Sequence, residues 1–140
     1  MLYGYGGRTL RVNLTTGQIS VSPTPAELAQ DFLGGRGFGI YRLFTEVPKG
    51  TDPLGPDNKL IASSGPVSGT LIPGSGKMDW TCKSPLTRGY ASASVGGMLT
   101  AELKYAGYDS IILEGAAAKP VYLLIENDRV ELRDASDYWG

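Results

Sequence analysis

Three short stretches of this sequence set small residues beside a charged or polar one, in the manner of a site for an anion. The first is Ser94-Val95-Gly96-Gly97, which runs into a segment with helical periodicity. A helix N-terminus carries unpaired N–H groups and a partial positive charge, and glycines there let a phosphate or another anion approach the backbone. The second is Pro73-Gly74-Ser75-Gly76-Lys77, where a lysine after small residues offers a point charge. The third is the polar turn Lys83-Ser84-Pro85-Leu86-Thr87-Arg88. Taken alone, each also has a plain structural reading, and that reading is favoured: a glycine-rich helix start, a solvated loop lysine, a surface turn. None matches a P-loop or a dinucleotide fingerprint.

The residues that are missing restrict the chemistry further. Histidine is absent, which removes the commonest general base and metal ligand together. Cys82 is the single cysteine, so this chain builds neither an internal disulfide framework nor the four-thiolate shell of an iron–sulfur cluster. Placed on a strand among apolar neighbours, Cys82 reads as a buried, inert thiol. Glycine, at 20 of 140 residues, permits close backbone approach. The chain therefore reads as a surface that presents backbone, with no catalytic residue and no metal ligand assigned to it. Phe38, Tyr41, Phe44, Tyr105 and Tyr108 fall at core spacings and are read as packing.

The elements that would hold these stretches follow from periodicity. Arg8 to Leu14 alternates, with Leu10, Val12 and Leu14 inward, and Gln18 to Val21 returns with Ile19 and Val21 inward, giving a β-hairpin. Thr24-Pro25-Ala26-Glu27 has the spacing of a capping box and predicts a helix that buries Leu28, Phe32 and Leu33 and stops at Gly34-Gly35. A second helix is expected from Gly37 to Thr45, burying Phe38, Tyr41 and Phe44. Strands are expected at Lys59 to Ser64, Met78 to Cys82 and Tyr90 to Ala93. Gly96-Gly97 then opens a helix, Met98 to Ala106, closed by Gly107. Strands at Ser110 to Glu114, Val121 to Glu126 and Arg129 to Leu132 complete the chain, the last two joined by a tight turn at Asn127-Asp128. This order predicts an α+β fold of mostly antiparallel β-sheets with a few short helices.

The length, 140 residues, suits one domain that buries roughly two thirds of its unfolded surface. With 13 basic and 14 acidic residues, the net charge of −1 gives no basic surface for nucleic acid. Apolar runs are far short of the roughly 20 residues that span a bilayer. Met1 to Gly7 lacks the pattern of a signal peptide. A cytoplasmic protein is expected. The abrupt end at Asp137-Tyr138-Trp139-Gly140 leads to the expectation that the natural chain continues.

Read together, the segments resemble a known family. Arg11-Val12-Asn13-Leu14-Thr15-Thr16-Gly17, Leu33-Gly34-Gly35-Arg36-Gly37 and Asp52-Pro53-Leu54-Gly55-Pro56-Asp57-Asn58-Lys59-Leu60 are similar to the opening of aldehyde:ferredoxin oxidoreductases. So are Gly65 to Thr70, Lys83 to Thr87, Gly96-Gly97, Ala101 to Asp109 and Asp134-Ala135-Ser136, in order and across essentially all 140 residues. The resemblance implies that residues 1–140 form the N-terminal domain, a two-sheet base beneath a tungsten (or molybdenum) bis-pterin. It implies an enzyme that oxidises aldehydes to carboxylic acids and passes electrons through a [4Fe–4S] cluster, with ligands outside this chain, to ferredoxin. Other domains of a longer chain, and a homo-oligomer, are the implied partners. The family's pterin-contacting arginine falls on Lys77 and its asparagine on Ser94, while Gly96 and Gly97 keep the backbone. Lysine keeps the charge and loses the planar fork; serine loses the amide's paired donor and acceptor. These departures keep open a tungsten subunit of an aryl-CoA reductase complex; the 140-residue extent and the missing catalytic residues keep open a non-catalytic binding or structural module. An exposed apolar face for the other domains is also expected.

Overall fold

The computed structural model describes residues 3–140. Residues 1 and 2, which belong to the leader reading above, lie outside the described residues. Strand β1 (Arg8–Asn13) turns into β2 (Ile19–Pro23). The turn closes because the Asn13 side-chain oxygen accepts from the Thr15 and Thr16 amides, an arrangement asparagine favours in turns. Helices α1 (Ala26–Phe32) and α2 (Arg36–Glu46) follow, then β3 (Lys59–Ser64), β4 (Lys77–Lys83), β5 (Tyr90–Gly96), α3 (Leu99–Tyr105) and β6 (Tyr108–Glu114). The hairpin of β7 (Val121–Glu126) and β8 (Arg129–Asp134) precedes a short 3-10 turn, Ser136–Tyr138.

Six strands form one sheet in the order β2-β1-β6-β3-β4-β5, and β7 with β8 forms a second, two-stranded one. Among the described residues every strand pair is antiparallel except β1 with β6. The expected α+β, mostly antiparallel architecture is therefore present. Alternation along the strands separates two faces of the large sheet. On one, Leu10, Val12, Ala62, Met78 and Ile111 join Leu103 of α3, and Leu123, Ile125, Val130 and Leu132 of the small sheet pack against them. On the other, Thr9, Asp79 and Thr81 meet α2 through Arg42, Arg36 and Gly39.

Several side chains depart from their expected places. Thr24 does not cap α1, whose N-cap is Pro25 with no side-chain bond. Its hydroxyl instead donates to the buried Asp109 carboxylate at 2.8 Å. A charge-assisted bond in the interior outweighs a cap at the surface. Tyr41 and Phe44, expected in the core, are exposed, Phe44 at 87%. The reason is the rotation of α2, which lays Gly39 and Arg42 on the sheet, packs Phe38 against Leu28 and Ala29 of α1, and turns the stripe of Tyr41 and Phe44 away. A count of apolar residues cannot see a contact face made by a glycine and an arginine stem. Val21, Phe32, Leu33 and Tyr105 are also exposed, while Leu28 and Tyr108 are buried as expected. Phe32 and Tyr41 cover each other, with ring centroids 5.0 Å apart. Cys82 sits half-buried in β4.

At one end of the sheet, Glu114 accepts from Lys59 at 2.6 Å and from Arg11 at 2.8 Å, and Arg11 also pairs with Glu46 at 2.6 Å. Burial pushes the Glu114 carboxyl up, but the hydrogen bonds and charges of Lys59 and Arg11 outweigh it and hold the group below the ordinary 4.5. A carboxyl lowered in the folded state binds its proton more readily when unfolded. Its contribution is thus fully present above the unfolded value and is lost as pH falls through the lower, folded value. Because the group is partly exposed, the effect is small, about 1 kcal/mol or less. In unfolding titrations below pH 4.5, Glu114→Gln should lose less stability with falling pH than the parent chain. Identical slopes would show that this ion pair does not contribute.

Candidate functional site

The register of β4 with β5 pairs Lys77 with Gly96, Asp79 with Ser94 and Thr81 with Ser92. Residues paired across strands share a face, so Lys77, Asp79, Ser92 and Ser94 point to the α2 side of the sheet. A hollow of about 300 Å³ opens there, lined by Gly34, Gly35 and Arg36 at the start of α2, by Gly74, and by Lys77 and Ser94. The segment Gly65 to Ser68 closes another side, held by the Ser68 hydroxyl accepting from the Gly65 amide at 3.1 Å.

Glycine shapes this hollow by conformation and by close approach. Gly34, at φ +146°, passes so near the end of β3 that a Cβ would stand 2.6 Å from the Ser64 carbonyl oxygen. Gly35, at φ +50°, donates its amide to that same carbonyl at 2.8 Å. A Cβ on Gly35 or on Gly74 would meet no protein atom within 4 Å, so both leave bare backbone against open space. Gly96 serves Lys77 directly, since a Cβ there would lie 3.3 Å from the lysine nitrogen.

Asp79 lies beneath the hollow with its side chain 8% exposed. Its Oδ1 accepts from the Ser92 hydroxyl at 2.9 Å, and its Oδ2 from the Ser94 hydroxyl at 3.0 Å. Arg36 donates to the same Oδ2 through Nε and Nη2, both at 3.4 Å, while 60% of its side chain stays exposed. Lys77 enters none of the ion pairs found among the described residues. Two cations and the positive end of α2 therefore face a hollow that holds one buried, compensated carboxylate. That arrangement suits a ligand with negative charge.

Of the residues expected from sequence, the structure brings Lys77 and Ser94 together in this hollow. Gly96 and Gly97 are not among its lining residues. Gly96 lies beside Lys77, and Gly97 touches Gly76 closely enough that a Cβ on Gly76 would be 3.1 Å from its carbonyl oxygen. The resemblance implied that the backbone of Gly96 and Gly97, leading into α3, meets the cofactor, yet no residue of α3 lines the hollow; Arg36 of α2 does so. Ser94 to Gly96 extends β5 beyond the expected Tyr90 to Ala93, because pairing with β4 overrides the weak strand preference of glycine. Arg36 and Asp79 escaped the sequence reading as site residues. The signal for Asp79 was present in the alternation Lys77, Asp79, Thr81 opposite Ser92, Ser94, Gly96. Among the described residues no group of three or more His, Cys, Asp or Glu could hold a metal ion.

A larger groove of about 770 Å³ lies at the other end of α2, where Ile40, Phe44, Val47 and Tyr90 meet Lys49 and Lys83. Its lining is mostly apolar, with Lys49, Lys83 and Arg88 as its charged members. Ile40, Phe44 and Tyr90 are exposed in it, whereas the smaller hollow brings Asp79 and Ser94 together with two cations. Among the described residues no helix is long and apolar enough to cross a membrane.

Residues 9–140 match the family described as the aldehyde ferredoxin oxidoreductase N-terminal domain. The chain belongs to that family, of which it carries the N-terminal domain. It is 50% identical over 139 residues to a tungsten-containing aldehyde ferredoxin oxidoreductase of Pyrococcus furiosus, covering 99% of this chain and 23% of the relative. It is 42% identical to the WOR-like subunit of an aliphatic sulfonate oxidoreductase of the same organism, covering 99% of this chain and 22% of that one. Among solved structures, the active-site complex BamBC of benzoyl coenzyme A reductase, bound to 1,5-dienoyl-CoA, aligns with a TM-score of 0.96 and 40% identity. That match covers 99% of this chain and 21% of the other. The chain thus spans less than a quarter of the length of these relatives.

Proposed function

We propose that residues 1–140 form one wall of a site for a tungsten (or molybdenum) bis-pterin, in an oxidoreductase that converts aldehydes to carboxylic acids with ferredoxin as electron acceptor. The supporting observation is the convergence of Gly34, Gly35, Gly74, Arg36, Lys77 and Ser94 on one hollow. The lining fits an anionic, flat group: bare backbone for close approach, two cations for charge, and one hydroxyl oxygen for orientation. Such a cofactor, when bound, supplies redox chemistry at its metal. The chain's own part is to bind and orient. Lys77 would neutralise an anionic group, Arg36 would hold a second one while bracing Asp79, and Ser94 would fix one polar edge. Gly96 keeps the space in which the Lys77 side chain lies. The hollow is open, so other domains of a longer chain would have to close it and exclude water. Those domains would carry the [4Fe–4S] ligands. A homo-oligomer in the cytoplasm completes this reading.

The test is made on the full-length protein, produced in an anaerobic host supplied with tungstate and molybdate. Elemental analysis should find tungsten or molybdenum, and oxidative release should yield a fluorescent pterin. Lys77→Ala should retain about tenfold less pterin per chain, the scale of one charge-assisted bond, and Lys77→Arg should retain it. A parent protein free of pterin, or full retention by Lys77→Ala, would defeat the assignment.

The likeness to the benzoyl coenzyme A reductase complex supports a second reading, a tungsten subunit of an aryl-CoA reductase assembly. Aldehyde-dependent dye reduction favours the first reading; dienoyl-CoA-dependent dye reduction without aldehyde activity favours the second.

A further inference from the structure

The hydrogen bonds around Asp79 decide what Ser94 can offer a ligand. A carboxylate presents only lone pairs, and a serine hydroxyl has a single proton. The Ser94 proton therefore points inward to Asp79 Oδ2 at 3.0 Å. What remains for the hollow is the acceptor side of that oxygen. Lys77 and Arg36, which line the same hollow, only donate. The wall thus carries an acceptor together with two donors. Ser92, donating to Oδ1 at 2.9 Å, and Arg36 hold the carboxylate in this orientation.

We propose that Asp79 is a positioning residue: by taking the Ser94 proton it makes Ser94 an obligate acceptor, which selects a ligand edge bearing N–H donors beside a carbonyl or anionic group. This rests on the pterin site proposed above. The amino and ring N–H groups of a pterin present such an edge. A bare phosphate or carboxylate would set lone pairs against lone pairs at Ser94.

The experiment compares four full-length proteins purified anaerobically: the parent, Ser94→Ala, Asp79→Asn and the double variant. The readout is pterin retained per chain after washing, with circular dichroism and thermal melting to check the fold. An asparagine at 79 can donate to Ser94 and so free its proton towards the hollow. Each single variant should retain about tenfold less pterin, the scale of one hydrogen bond. The double variant should retain as much as Ser94→Ala, because Asp79 acts through Ser94 and the effects are not additive. Additive losses, or parental retention by Asp79→Asn, overturn the proposal. Should Asp79→Asn fail to fold, Ser94→Thr must retain pterin and Ser94→Ala must not; equal retention by the two overturns it. A parent protein without pterin fails the site itself and this proposal with it, whereas a loaded parent with unaffected variants fails this proposal alone.

Discussion

Asp109→Ala should cost the chain about 3–5 kcal/mol, the scale of removing one partner from a buried ion pair. The carboxylate is fully buried and accepts four bonds: from the Gly6 and Gly7 amides at 2.8 Å each, from Thr24 at 2.8 Å and from Lys104 at 2.7 Å. Alanine would leave the Gly6 and Gly7 amides without this acceptor and the Thr24 hydroxyl with only a long contact to Thr9 at 3.5 Å. It would also strand the ammonium of Lys104, a side chain only 8% exposed, with a carbonyl of Gly4 and the face of Tyr5 as its remaining neighbours. Total stabilities of domains this size are of the same order as the loss, so the variant should be largely unfolded or recovered poorly. Adding Lys104→Met, which removes the stranded charge, should return part of the stability. Urea unfolding of the 1–140 chain measures all three proteins. A change in midpoint no larger than that of an ordinary surface substitution would show that Asp109 does not anchor the N-terminal segment.

Gly39→Ala should also be strongly destabilising, although alanine is the better helix former by about 1 kcal/mol. A Cβ at Gly39 would stand 2.1 Å from Thr81 Oγ1, 2.6 Å from its Cγ2 and 2.8 Å from its Cβ. Thr81 is fully buried and β-branched, so it cannot swing aside. The helix must lift off the sheet instead, at a cost of about 1–3 kcal/mol for overpacking. Arg36 begins the same helix, so the shift should also draw its guanidinium from Asp79. Thr81→Ala in the same chain should relieve part of the clash. Unchanged or increased stability of Gly39→Ala alone would refute this account of how α2 docks.

The sequence determined the elements and their class. Alternation in Arg8 to Leu14, the strand-forming runs at Ile111 and Val121, and the glycines after Phe32 and Ala106 are local signals, and the structure carries the elements they imply. The family was equally legible, because ordered motifs across the chain survive where single motifs are ambiguous. Lys77 and Ser94 came from that resemblance, and the structure places both in one hollow.

Only the tertiary structure decided which residues share a face and which helix end meets the hollow. Asp79 is fixed by the pairing of β4 with β5 and by Arg36, 43 residues away. Asp109 finds the Gly6 amide across 103 residues. Nor could periodicity say that α2 lies on its glycine and arginine side, leaving Phe44 outside. Local propensity records the conformation of a few neighbouring residues. The direction of a buried proton or carboxylate depends on groups brought together by long-range packing, which no window along the chain contains.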